Sequence, residues 1–287
     1  MISPPLLAVI AALAYALNNF FSRLGLEGSS PAVGVSVIAT TNALFLWGLA
    51  LLFSPVQPIF SVHIWPFLLA GVFAPSLARN LLMLGYRRIG MARSDVIAGA
   101  MPLFAVLLAV MTFGERPSAL AVVGTIGIVA GIALLTHRRE AGKGWGSRAI
   151  LYPLGAAFFF AARDIAGKFG LQFIPLPLAT AAVTASVAGV ALNLPYLLPK
   201  VRKRAVLPGK SLCFFCLSGT LLSMAYMTSF MALKGGEVSQ VAPLIGLFPL
   251  FSVALSFLFL QSKENVTWKV GAGGIIVVAG ASCIWMS

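Results

Sequence analysis

The chain has 287 residues, of which 60% are hydrophobic and only 9% charged, with 20 basic against 7 acidic residues and a net charge of +13. Soluble domains carry roughly 25% charged residues, so an ordinary soluble enzyme, a disordered chain and a disulfide scaffold are excluded and a polytopic membrane protein remains. Nucleic-acid binding is excluded as well, because the basic residues stand in short clusters between apolar runs, as membrane topology requires.

A membrane-spanning helix needs about 20 mostly apolar residues. Ten such runs follow one another: residues 4–22, 32–53, 62–86, 94–113, 118–136, 149–171, 176–198, 211–233, 238–260 and 267–286. They are continuous rather than alternating, which predicts helices and not barrel strands. Residues 1–3 carry no positive charge, so the first run reads as a span and not as a cleavable leader.

Span one carries Asn18 and Asn19 and closes with Arg23-Leu24-Gly25-Leu26. Span three contains Pro75, Arg79 and Asn80; Asp95 stands near the start of span four, which continues through Pro102-Leu103-Phe104 to Glu115. Span five holds Gly124, Gly127 and Gly131. Beyond a basic stretch, span six carries Arg163 and Asp164 and closes with Lys168-Phe169-Gly170-Leu171. Span eight opens on Cys213 and Cys216, expected to be buried, inert thiols, and contains Tyr226. Span nine holds Gln240, Pro243 and Pro249-Leu250-Phe251; Glu264 precedes a span ten rich in glycine.

Ten spans place both termini on one face. The loops after the odd-numbered spans then carry 15 of the basic residues and the opposite face only Arg116, Lys168 and Lys234. Loops rich in Lys and Arg stay in the cytoplasm, which predicts an inner-membrane protein with both termini on the non-cytoplasmic side.

The chain also repeats itself. Arg23-x-Gly25-Leu26 recurs as Lys168-x-Gly170-Leu171, Pro102-Leu103-Phe104 as Pro249-Leu250-Phe251, and Glu115 followed by Gly124 and Gly131 as Glu264 followed by Gly273 and Gly280. The three separations differ by only four residues, which indicates a duplicated five-helix unit. Five is odd, so the second copy enters the membrane inverted, as in many secondary transporters. The expected fold is all-α, with ten transmembrane helices as two inverted five-helix repeats around a central cavity: residues 1–138, a basic linker at 139–148, and residues 149–287.

On these motifs the whole chain resembles the drug/metabolite transporter superfamily in its ten-helix, EamA-type form. The resemblance implies a solute carrier working by alternating access and exporting a small metabolite. It leaves the substrate open among amino acids, drugs, sugars and nucleotide derivatives. Some small relatives carry a proton-coupling Glu in the first helix; span one here has Asn18 and Asn19 and no carboxylate.

Ionisable groups inside hydrocarbon cost about 2.5–3.5 kcal/mol each on insertion scales and normally face a cavity or a partner. The candidates to line a substrate path are therefore Asn18, Asn19, Arg79, Asn80, Asp95, Arg163, Asp164, Tyr226 and Gln240. Arg79 and Asp95 are placed to pair across spans three and four, either lining or gating the cytoplasmic half of the path with Asn18 and Asn19 or only joining two helices. Arg163 either snorkels outward or faces the cavity, where a guanidinium suits a carboxylate or phosphate. Asp164 has Lys168 at the favourable i,i+4 spacing but, being adjacent to Arg163 and about 100° round the helix, is not expected to pair with it. Pro102 and Pro249 are expected as mid-span helix kinks. Glu115 and Glu264 read as capping or interfacial groups, and the glycines of spans five and ten as close helix packing, within one chain or in a homodimer.

Two histidines, no carboxylate cluster and no Walker motif leave no catalytic residues, metal site or cofactor to predict. Energy then comes from gradients or exchange, and the expected partners are the bilayer and a small solute, favoured as amino acid-like, zwitterionic or anionic. A multidrug or organic-cation exporter and a lipid-linked substrate flippase are the alternatives.

Overall fold

A computed structural model describes residues 3–55, 57–89, 97–135, 147–194, 207–259 and 268–286. Among the described residues the regular structure is helical throughout. Span one is α1 (Pro4–Gly25) and span two α2 (Pro31–Phe53). Span three is broken into α3 (Trp65–Gly71), a π-helical segment (Val72–Leu77) and α4 (Ala78–Ile89). Then come α5 (Met101–Phe113), α6 (Ala119–Leu135), α7 (Leu151–Phe173), α8 (Pro177–Asn193) and α9 (Gly209–Gly235). Span nine is divided into α10 (Val238–Ile245) and α11 (Phe248–Phe259), and span ten is α12 (Trp268–Trp285). The stretches Pro4–Gly25, Val33–Phe53, Val62–Leu82 and Gly209–Gly235 are each long and apolar enough to cross a membrane; α7 is as long but carries Arg163, Asp164 and Lys168. Outward positions such as Leu52 (75% exposed) and Ile275 (72%) are apolar, the inverse of a soluble surface.

Small residues set the helix seams. Ala8, Ala11, Ala12 and Ala16 of α1 and Ala156, Ala157 and Ala161 of α7 are buried. Without a hydrophobic drive in lipid, such residues hold helices by letting backbones approach.

The packing obeys a two-fold exchange of the halves. Span one packs on span eight and span six on span three; span one on nine and six on four; span two on eight and seven on three. Spans two and seven, four and nine, and five and ten pack on each other. The pairing is antiparallel: Gly124 abuts Gly280 while Gly131 abuts Gly273. The glycine-rich faces of spans five and ten are thus used within one chain.

The repeated R/K-x-G-L motif has a packing meaning. A Cβ on Gly25 would lie 2.5 Å from the Phe215 ring, and one on Gly170 would lie 2.5 Å from the Phe67 ring. Both rings are fully buried, so neither can retreat. Gly170→Ala is expected to cost about 1–3 kcal/mol by overpacking, seen as a lower Tm in detergent that Phe67→Leu partly restores.

The prolines correct one expectation. Pro102 and Pro249 do not kink a helix from within; they occupy the first turn of α5 and α11, where the missing N–H is not needed. The breaks lie just before them, at Gly99 and Ala100 in span four and at Gly246 and Leu247 in span nine. The two breaks are alike: Ala100 N–H donates to Ile97 O and Leu103 N–H to Ala100 O, as Leu247 N–H donates to Leu244 O and Leu250 N–H to Leu247 O. They also meet, since a Cβ on Gly246 would lie 3.0 Å from Pro102 Cγ. Span three breaks without a counterpart in span eight, at Ala74 (φ −147°, ψ 136°) beside Pro75. Cys213 is exposed and Cys216 half-buried, contrary to the buried thiols expected.

Candidate functional site at the centre of the bundle

Arg163 stands one residue past the middle of α7, about 15 Å from the nearer helix end at 1.5 Å per residue. It does not snorkel: it is 6% exposed, and its guanidinium is held by three spans. Nε and Nη2 donate to Asp164 Oδ1 at 3.0 and 2.7 Å, and Nη1 donates to the Tyr15 hydroxyl of span one at 3.2 Å. Cζ lies over the Tyr226 ring of span eight, 5.5 Å from its centroid. Tyr15 also touches Phe248, at the break in span nine, with ring centroids 6.4 Å apart.

Two expectations about this pair are overturned. Arg163 and Asp164 do pair, because the long Arg stem folds back across the 100° between their Cβ directions and brings the fork onto one oxygen. Asp164 does not pair with Lys168, whose Nζ donates instead to Leu233 O and Gly236 O at 2.7 Å each. The carbonyls of the last turn and cap of α9 have no intrahelical donor, and those of Leu233 and Gly236 capture the ammonium. Asp164 is 1% exposed, and its Oδ2 is buried with no hydrogen-bond partner.

Of the residues singled out in the sequence, Arg163, Asp164 and Tyr226 come together. Asn18 is buried in the seam between spans one and eight, where Nδ2 donates to Ser218 Oγ at 2.9 Å and to Ser218 O at 3.1 Å, and Ser218 Oγ donates back to Asn18 O. Asn19 is exposed. Arg79 is half-buried near the start of α4, and Asn80 donates to Ser76 O one turn earlier. Asp95 lies outside the described residues, and with it the expected Arg79–Asp95 pair. Gln240 is half-buried on α10. Among the described residues no group of three or more His, Cys, Asp or Glu is placed to hold a metal ion.

Tyr15 and Phe248 are members that residue patterns alone do not pick out. For Tyr15 the available signal is depth: tyrosine gathers at membrane interfaces, whereas Tyr15 sits at the middle of α1. The arrangement offers a desolvated guanidinium, bonded to a single carboxylate oxygen and walled by aromatic rings. Such a group binds carboxylates and phosphates through charge-assisted bonds.

Two antiparallel copies of a helical unit, with interrupted helices meeting near a charged centre, define a membrane transporter built on an inverted repeat. The chain belongs to the EamA-like transporter family, whose pattern matches residues 3–137 and again residues 147–286. A relative from Sinorhizobium sp, described as an uncharacterized transporter in the cobO 3' region, is 28% identical over 130 residues, which is 45% of this chain and 91% of that protein. A solved crystal structure at 18% identity superposes with a TM-score of 0.81, covering 99% of this chain and 96% of the other, and shares the fold.

Proposed function

We propose that the chain is a secondary carrier that moves a small carboxylate-bearing solute, zwitterionic or anionic, across the cytoplasmic membrane by alternating access. Export is the direction implied by family resemblance. The 15-to-3 distribution of basic residues supports placing both termini outside the cytoplasm. The observation that carries the substrate class is Arg163, buried at mid-depth between spans one, six and eight. A carboxylate entering between the halves can take over its donors from Asp164 Oδ1. The matched breaks in spans four and nine supply points at which the halves can bend during the exchange.

The test is counterflow in proteoliposomes against a panel of amino acids, organic anions and organic cations, with and without a pH gradient. Wild-type protein should accumulate one or more carboxylates and Arg163→Gln none of them. Accumulation of organic cations alone, or carboxylate transport that survives Arg163→Gln, overturns the reading. Lipid scrambling without solute flux would assign a flippase instead.

A further inference from the structure

The face that bears the termini carries a second group of charges, which shares α7 with Arg163 through Lys168, five residues further along that helix. Gly114, at φ 66°, ends α5 in the left-handed region that favours glycine and turns the chain so that Glu115 reaches the start of α10. There its two carboxylate oxygens accept one backbone N–H each, from Val238 and Ser239, both at 2.9 Å. From the other side Lys168, near the end of span six, donates to Leu233 O and Gly236 O at the end of span eight. Glu115 and Glu237 both lie close enough to Lys168 to interact electrostatically with it. The same elbow rests on the start of span one, for a Cβ on Gly236 would lie 2.8 Å from Pro4 Cβ. Residues 233–239 are thus clasped by an acid from the first repeat and a base from the second, each placed where the helix dipole favours it.

Beyond the clasp lies α10, only eight residues long, with Val238, Ser239 and residues 241–245 buried. It packs against helices of spans one, four, five, six, eight and ten. Its far end is the break at Gly246 and Leu247, one residue before Phe248, which touches Tyr15 of the Arg163 cluster. A short buried helix therefore runs between the termini-bearing face and the central cluster, with the clasp at one end and the break at the other.

We infer that α10 is the gate on the termini-bearing face and that Glu115 and Lys168 are its latch, engaged in this conformation. Opening requires the carboxylate to release both N–H groups and the ammonium both carbonyls, after which α10 swings about Gly246. The inference rests on the alternating-access reading, yet its test reads conformation without substrate. Its failure would leave the role of Arg163 standing, and the reverse also holds.

The reporter is Ser229→Cys, placed in span eight between Tyr226 and Leu233 and 1% exposed as serine, in a full-length chain with the three native cysteines replaced by serine. Its reaction rate with a small charged thiosulfonate is measured on purified protein. Adding Glu115→Gln or Lys168→Met should raise that rate about tenfold or more, the scale of losing charge-assisted hydrogen bonds from a two-state equilibrium. The control keeps native Cys216 alone, toward the opposite end of the same helix, and its rate should not change in either variant. Unchanged labelling of Ser229→Cys overturns the gate. Equal acceleration of Cys216 also overturns it, because it would show general loosening rather than opening on one side.

Discussion

Asp164→Leu will destabilise the protein far more than Arg163→Met combined with Asp164→Leu. The single change strands the Arg163 guanidinium, 6% exposed, without its carboxylate; removing one partner of a buried pair costs about 3–5 kcal/mol. The double change removes both charges, and apolar replacement of a whole pair is often neutral or stabilising. Thermal unfolding in detergent should rank the double variant near wild type and the single variant well below it. Transport should rank differently, with both variants inactive. The reason is geometric. Asp164 and Arg163 are neighbours on one helix, so their ion pair fastens no two spans together; among the described residues the 3.2 Å bond to Tyr15 and the contact with Tyr226 are what reach other helices. A pair that does little for assembly, and that costs about 2.5–3.5 kcal/mol per charge to insert, is what the proposed carboxylate-binding role requires. Arg163→Lys keeps the charge but loses the planar fork and should retain folding with weakened uptake. Full transport by the double variant would remove the pair from the mechanism.

The parts of the fold readable in the sequence are those written in residue type and period. Apolar runs, the asymmetry of Lys and Arg, and the echo of Gly25 in Gly170 need no tertiary information. The helix breaks are different. Pro102 is the same residue whether it lies inside a helix or in the first turn of a new one, and only the end of the preceding segment decides; Gly99 and Gly246, each three residues ahead of the proline, take on meaning once the structure shows the preceding segments ending there. The site divides in the same way. Arg163 and Asp164 announce themselves as charges in hydrocarbon, whereas Tyr15 offers only its depth in span one as a signal, and its partner is known once span one is brought beside span six. Lys168 shows how tertiary contacts displace a local rule. Its i,i+4 partner is available, but two orphan carbonyls from span eight stand within 2.7 Å and two bonds outweigh one. Asn18 reads as a path residue because it is polar and deep, and its bonds to Ser218 account for that polarity within a helix seam.

The second large effect belongs to the contact between spans five and ten. Gly124→Ala should lower the unfolding temperature markedly while Gly127→Ala, one turn away on the same helix, should not. A Cβ at Gly124 would lie 2.5 Å from the carbonyl oxygen of Gly280, and one at Gly280 would lie 2.6 Å from the carbonyl oxygen of Gly124. Both obstacles are backbone, so no rotamer change relieves them and the helices must separate. A Cβ at Gly127 meets nothing closer than Gly280 Cα at 3.5 Å, an ordinary contact. Overpacking costs about 1–3 kcal/mol, and more where nothing can shift; Gly124→Leu should therefore prevent accumulation of folded protein. The seam is antiparallel and self-complementary, so Gly124→Ala and Gly280→Ala open the same gap. Their combined cost should fall short of the sum, the non-additivity expected of residues in direct contact. Additive losses would mean that the two glycines act at separate places, and that the halves are not joined through this reciprocal contact.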